Sequence, residues 1–326
     1  MTDSAPQDST AAETAAAETA PSERGLLARA LDSDIFHSFK GSKVTMLAAL
    51  VTAIYFLGAL FAPLIAPYNP FDMASIDLMD SQIPPVWVEG GDPRFLIGTD
   101  DQGRDLFSAI LYGSRISLIV GFVSVLFAAV LGIGLGLLAG YVGGSVDTVI
   151  MRIADVQLTF PAILIALLID GTVRGLWPGA DRSITAFWVM VVSIGLSFWV
   201  QYARTVRSST LVEKNKEYVQ AARLIGIPPL AIMIRHVLPN VLGPVLVIAT
   251  INLALAIILE ATLSFLGVGL PPTEPSLGTL IRIGQNFLFS GEWWITIFPG
   301  AALAILVLAV NLLGDWLRDA LNPKLR

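Results

Sequence analysis

The sequence predicts an all-α integral membrane protein with six transmembrane helices and both termini in the cytoplasm. Three observations carry that expectation. Hydrophobic residues fill 55% of the 326 positions and charged residues only 14%, where a soluble domain has roughly 45–50% apolar and about 25% charged residues. Six stretches approach the run of about 20 mostly apolar residues that a membrane helix needs. Lysine and arginine gather in alternate connections, as basic flanks that stay cytoplasmic require.

Taken in chain order, residues 1–23 are Ala, Thr, Glu, Ser and Asp with almost no bulky apolar side chain. Such a segment cannot bury enough surface to order itself, so residues 1–43 are expected to be a disordered cytoplasmic tail and lead-in. Asp3, Asp8, Glu13, Glu18 and Glu23 precede the first basic residue; taking those five from the net charge of −6 leaves −1 for the rest. The acidity belongs to the tail and implies no nucleic-acid partner. A secretory signal would open with basic residues and an apolar core, which this start lacks, so the first apolar run is expected to stay as an anchor.

That first span is expected at 44–66, and the remaining five form a core over 117–317: 117–140, 153–169, 184–202, 241–263 and 295–317. The third is the least regular, because Arg152 and Asp155 crowd its start and Pro161 interrupts it. With the amino terminus inside, the inner connections and termini hold 14 of the 20 basic residues and the outer ones hold 6. The tail 318–326 and the loop 205–240 are then cytoplasmic.

The connection 67–116 is expected outside, its first half kept from regular helix by Pro67, Pro70, Pro84, Pro85 and Pro93. Gly98-Thr99-Asp100 followed by residues 105–112 reads as a capped amphipathic helix leading into the second span. Asp100, Asp101 and Asp105 lack the spacing of a calcium loop, which leaves capping and packing as their work. No cysteine is present and the two histidines, His37 and His236, stand far apart, so no cysteine- or histidine-built metal site is expected.

The loop 217–240 interrupts the apolar pattern with a short helix, a glycine stop at Gly226, the pair Pro228 and Pro229, a second helix and Pro239. That order predicts a stiff bent element outside the bilayer, able to carry force from a soluble partner. Ala221 and Ala222 are small enough for close approach, and Pro239-Asn240 opens the fifth span. Charge alone fits any basic cytoplasmic loop. Within the spans Asn252, Glu260 and Asn311 are the polar candidates for lining a pathway, against the alternative of hydrogen bonding between helices. Glu260 lies near enough to a span end to be expected to reach water. Gly132, Gly136 and Gly140 recur every fourth residue and are read as packing.

Several blocks together resemble one family. These are Gly98-Thr99-Asp100 with Gly103-Arg104-Asp105, Gly113-Ser114-Arg115-Ile116-Ser117-Leu118, and Gly140-Tyr141 with Gly143, Gly144 and Asp147. Further along come Met151-Arg152 with Asp155, Tyr202-Ala203-Arg204, Leu263-Ser264-Phe265-Leu266-Gly267, Trp293-Trp294 with Pro299-Gly300, and Asn311 through Gly314-Asp315 with Leu317-Arg318-Asp319. From about residue 96 to the carboxyl end the chain resembles the dipeptide and oligopeptide permeases of ATP-binding-cassette importers, in particular the second of their two paired permease subunits. Gln220 where an acid is usual, Leu277 for tryptophan and Trp316 for glycine depart from the pattern.

The resemblance implies a type I importer fold in a bacterial cytoplasmic (inner) membrane. It implies as partners a homologous second permease, two ATP-binding subunits and an extracytoplasmic substrate-binding protein. It also places ATPase coupling on Glu217, Tyr218, Gln220, Ala221, Ala222, Arg223, Gly226, His236 and Pro239. No phosphate loop of the Gly-x-x-x-x-Gly-Lys-Ser/Thr type occurs, so ATP and Mg belong to the partner subunits and this chain is expected to be neither an enzyme nor a cofactor binder. The competing reading is a self-sufficient ion-coupled secondary transporter, for which Glu260 is the one deep acid. A membrane enzyme finds no supporting motif.

Overall fold

A computed structural model of the chain describes residues 39–72, 76–179 and 181–320. The chain falls into two units, Met1–Lys43 and Val44–Arg326. The expected tail over 1–43 lies almost wholly outside the described residues, as do Lys324 and Arg326.

The described elements are helical. They run α1 Lys43–Leu60, α2 Leu106–Val142, α3 Gly144–Thr159, α4 Ala162–Leu176, α5 Arg182–Glu213, α6 Glu217–Leu224, α7 Pro229–Phe265, α8 Leu277–Gln285 and α9 Trp294–Ala320. Five of them, α1, α2, α5, α7 and α9, are long and apolar enough to cross a membrane. A sixth crossing exists only if α3 and α4 are taken as one span.

The third span, expected at 153–169 with an interruption at Pro161, is two helices, α3 and α4, that meet at 93°. The cause is Pro161, whose ring and missing N–H end α3 at Thr159 and leave its own carbonyl to accept from Leu164 N at 3.0 Å as α4 begins. A second difference lies in α2, which is one helix of 37 residues. The expected short amphipathic helix and the second span are fused, since nothing between Leu106 and Val142 breaks the ladder. Asp105 starts it by accepting from Ser108 N at 2.8 Å, and Gly143 at φ 73° stops it.

α2 and α5 form the centre. A Cβ built on Gly132 would lie 2.5 Å from Trp199 O, on Gly136 2.5 Å from Ala203 O, and on Gly140 2.7 Å from Thr210 Cβ. The three glycines therefore let the two backbones touch. α7 packs against both helices, and α8 wedges between α7 and α9.

The segment before α2 is irregular but tightly tied. Thr99 accepts from Ile83 N at 2.8 Å and donates to Asp80 O at 2.6 Å, while its carbonyl receives Trp294 Nε1 at 3.1 Å. Asp100 and Arg104 form a buried ion pair at 2.6 Å, and Arg104 Nη1 reaches Pro272 O at 2.7 Å. Of the aspartates considered for calcium, Asp100 is used in pairing and Asp105 in capping, while Asp101 Oδ1 is buried without a hydrogen bond among the described residues; there too no three His, Asp or Glu side chains gather as a metal site.

Candidate functional site

α6 is amphipathic over two turns. Val219 and Ala222 are buried against Ile232, Met233 and Val237 of α7, while Glu217, Gln220, Ala221, Arg223 and Leu224 face outward. Ala221 and Ala222, which look equivalent in the sequence, therefore have different surroundings. Glu217 sits in the first turn, where a negative charge favours the helix.

The helix ends in a Schellman arrangement. Ile227 N donates to Ala222 O and Gly226 N to Arg223 O, both at 3.1 Å, with Gly226 at φ 82°. Only a residue without Cβ adopts that angle freely. Pro228 then extends the chain, and Pro229 opens α7 where a missing N–H costs nothing.

Pro239 does not terminate a separate helix, as the sequence reading had it. α7 runs unbroken through it from Pro229 to Phe265, because residues Met233–Val237 widen into a π turn in which Leu238 N donates to Met233 O. The wider turn accommodates the donor that Pro239 lacks. The docking element and the fifth span are one piece of helix.

Polar contacts stitch α6 to its neighbours. The Tyr218 hydroxyl donates to Glu213, lies 3.2 Å from His236 O and accepts from Asn240 Nδ2 at 3.1 Å. Burial, with the Glu213 carboxylate beside it, pushes this hydroxyl up to about 12, so it remains a donor. Arg223 stacks 4.9 Å over the Tyr141 ring, and its Nε is 3.3 Å from the Tyr141 hydroxyl. Lys214 Nζ caps the end of α2 at Gly140 O, 2.7 Å away. Gln220 Nε2 donates to Asn215 O at 3.0 Å. His236 offers its backbone carbonyl, while its Nδ1 is buried without a partner.

One face of this element is left bare. Leu224 is 88% exposed, Ile225 76% and Leu230 63%, three large apolar side chains clustered around the Gly226 bend. Behind it, Arg207 grips Asp147 through both nitrogens and Arg204 holds Asp155 at 2.7 Å, fixing α5 on α3.

The three candidate pathway residues are separated. Asn252 is buried beside Tyr202, and Asn311 is half-buried on α9. Glu260 does not reach water as expected: it is fully enclosed, accepting from Ser117 Oγ and Ser264 Oγ at 2.6 Å each. Glu213 and Lys214 were not singled out from the sequence, although the basic character of the loop pointed at Lys214; Tyr141 and Asn240 stood out there, but not as contacts of α6.

Long apolar helices joined to a small, outward-facing helical bend define a multi-pass membrane protein of the permease class. The chain belongs to the family of binding-protein-dependent transport system inner membrane components, whose model matches residues 132–326. Residues 33–85 match the N-terminal TM domain of oligopeptide transport permease C. Among curated relatives, the dipeptide transport system permease protein DppC of Haemophilus influenzae is 40% identical over 288 residues, 88% of this chain and 93% of that protein. The di/tripeptide transport system permease protein DppC of Pseudomonas aeruginosa is 39% identical over 293 residues, 90% and 92% of the two chains. In fold, the chain is similar to that of the MetNI methionine ABC transporter in inward-facing form, with TM-score 0.51 and 22% identity over 67% of this chain and 98% of that one. The family is one of inner-membrane transport permeases, not of enzymes, and this placement favours the permease reading over a self-sufficient ion-coupled carrier.

Proposed function

We propose that the chain is the transmembrane permease subunit of an ATP-driven importer for dipeptides or oligopeptides. It forms half of the translocation pore with a homologous second permease, two ATP-binding subunits hold the ATP and Mg, and an extracytoplasmic binding protein delivers the peptide. Both termini and the 217–240 loop face the cytoplasm, with 67–116 outside. The coupling residues are Glu217, Tyr218, Gln220, Ala221, Ala222, Arg223, Gly226, His236 and Pro239. Of the pathway candidates, Asn311 keeps that role because part of its side chain is exposed.

The observation that carries this reading is the continuity of α7 with a bent element whose apolar tip, Leu224, Ile225 and Leu230, has no partner among the described residues. Such a tip fits the groove of a soluble subunit, and a continuous helix behind it passes displacement into the membrane.

The test is reconstitution of the four-subunit complex in vesicles with the binding protein, following radiolabelled alanyl-alanine. Uptake that requires internal ATP and ceases without the ATPase subunits is expected. Uptake that persists without them and collapses with a protonophore would overturn the proposal. Since the chain has no cysteine, a single Ile225→Cys also reports sidedness, and its labelling from the outer face of intact cells would refute the orientation.

A further inference from the structure

Glu260 is a carboxyl group fully enclosed among α2, α5, α7 and α8, and its surroundings are built for it. Ser117 on α2 and Ser264 one turn along α7 each donate to one of its oxygens at 2.6 Å. Ser276, the cap of α8, also reaches it, and Met190 of α5 lies 3.8 Å from Ser264 Oγ. Glu260, Ser117, Ser264 and Ser276 are each exposed by no more than 1%. The helices are close enough to fix register: a Cβ on Gly278 would meet Ala261 O at 2.3 Å, and one on Gly113 would meet Leu277 N at 3.2 Å.

A carboxyl in this setting is retained against a large desolvation penalty, which the hydroxyl donors offset only in this geometry. Apolar helix faces can slide past one another at little cost. A directional bond across the boundary, such as that from Ser117 to Glu260 at 2.6 Å, resists such sliding. Because α7 is continuous from Pro229, just past the Gly226 bend, to Phe265, a displacement of the loop reaches Glu260 through one helix whose stretch from Val245 onward is stiff.

We propose that Glu260 is the positioning residue that passes movement of α7 to α2 and α8, with Ser117 as the link across the helix boundary. The inference rests on the importer reading above and assigns Glu260 to transmission, not to the substrate pathway. Ser264, on the same helix as Glu260, holds the carboxyl but carries nothing between helices.

That asymmetry gives the test. In the reconstituted complex, Ser117→Ala and Ser264→Ala each leave one carboxylate oxygen short of a donor, so a purely structural role moves both alike. Transmission predicts that Ser117→Ala lowers alanyl-alanine taken up per ATP hydrolysed by about fivefold or more, the lower edge of ordinary coupling between sites. Hydrolysis itself continues, Ser264→Ala keeps the parent ratio, and Ser117→Thr restores it. If Ser117→Ala fails to assemble, Ser117→Cys, which keeps the volume with only a weak donor, carries the same expectation. Equal ratios in the two alanine variants, or no change in either, would overturn the inference while the parent complex still transports. Absence of ATP-dependent uptake by the parent would instead overturn the importer reading and this inference with it.

Discussion

Gly136→Ala measures how closely the two central helices are drawn together. The added Cβ would stand 2.5 Å from Ala203 O and 3.0 Å from both Ala203 Cα and Val206 Cβ. Two of these atoms are backbone and cannot rotate aside, so relief to an ordinary 3.4 Å contact requires α2 and α5 to part locally by about 0.9 Å. Overpacking of this kind costs about 1–3 kcal/mol. Alanine also gains about 1 kcal/mol over glycine in helix propensity, which masks part of the loss. Gly134→Ala removes the ambiguity, because it brings the same propensity gain two residues away at an exposed position with nothing within 4 Å. Thermal unfolding of the two variants in one detergent should therefore place Gly136→Ala below Gly134→Ala by about 1–3 kcal/mol. Equal midpoints, or the reverse order, would show that the helices are not in backbone contact there.

Three further outcomes are expected. Arg104→Met leaves Asp100 charged and enclosed, a loss of about 3–5 kcal/mol that Asp100→Asn in the same chain should partly recover; thermal unfolding checks both. A Cβ at Gly226 meets no neighbour within 4 Å, so the effect of Gly226→Val, about 1–2 kcal/mol, is chiefly backbone strain at φ 82°. The variant should insert normally yet lose uptake per ATP, with Gly226→Asn milder, and parent-like coupling in the valine variant would count against the bend. Leu224→Glu, at an 88% exposed position, should change the chain's own stability by less than about 0.5 kcal/mol. It should reduce co-purification of the ATPase subunits by about tenfold or more, as loss of an interface anchor does.

The apolar spans and the Gly226 stop were legible because they depend on local composition and on one residue's φ. Prolines were legible as interruptions but not in their consequences. Pro161 produces a right-angle turn, whereas Pro239 follows a π turn that carries the buried Met233 and Val237, and no rule on the proline alone tells the two apart. Long-range pairs were invisible. Arg104 meets a carbonyl 168 residues away and Ser117 meets Glu260 across 143. Glu260 was placed near water by its distance from a span end, but α8 folds back over that end and closes it.

The positions of these features along α7 connect them mechanically. The Gly226 bend with Leu224 and Ile225 lies just before its start and Leu230 on its first turn, the π turn and Pro239 follow, Pro244 lies one turn further, and Glu260 sits near the far end. Each proline removes an internal hydrogen bond, so compliance is concentrated at the loop end and the stretch from Val245 to Phe265 is the stiff part. A push at Leu224 is therefore taken up partly by flexing around Pro239 and Pro244 before it reaches Ser117. Replacing Pro244 with alanine restores one backbone donor and stiffens that hinge. If flexing there lets α6 settle against a moving partner, Pro244→Ala should leave assembly intact and slow the transport cycle. If the hinge only dissipates displacement, the same variant should raise peptide moved per ATP, and the sign of that change decides between a joint that adapts and one that leaks.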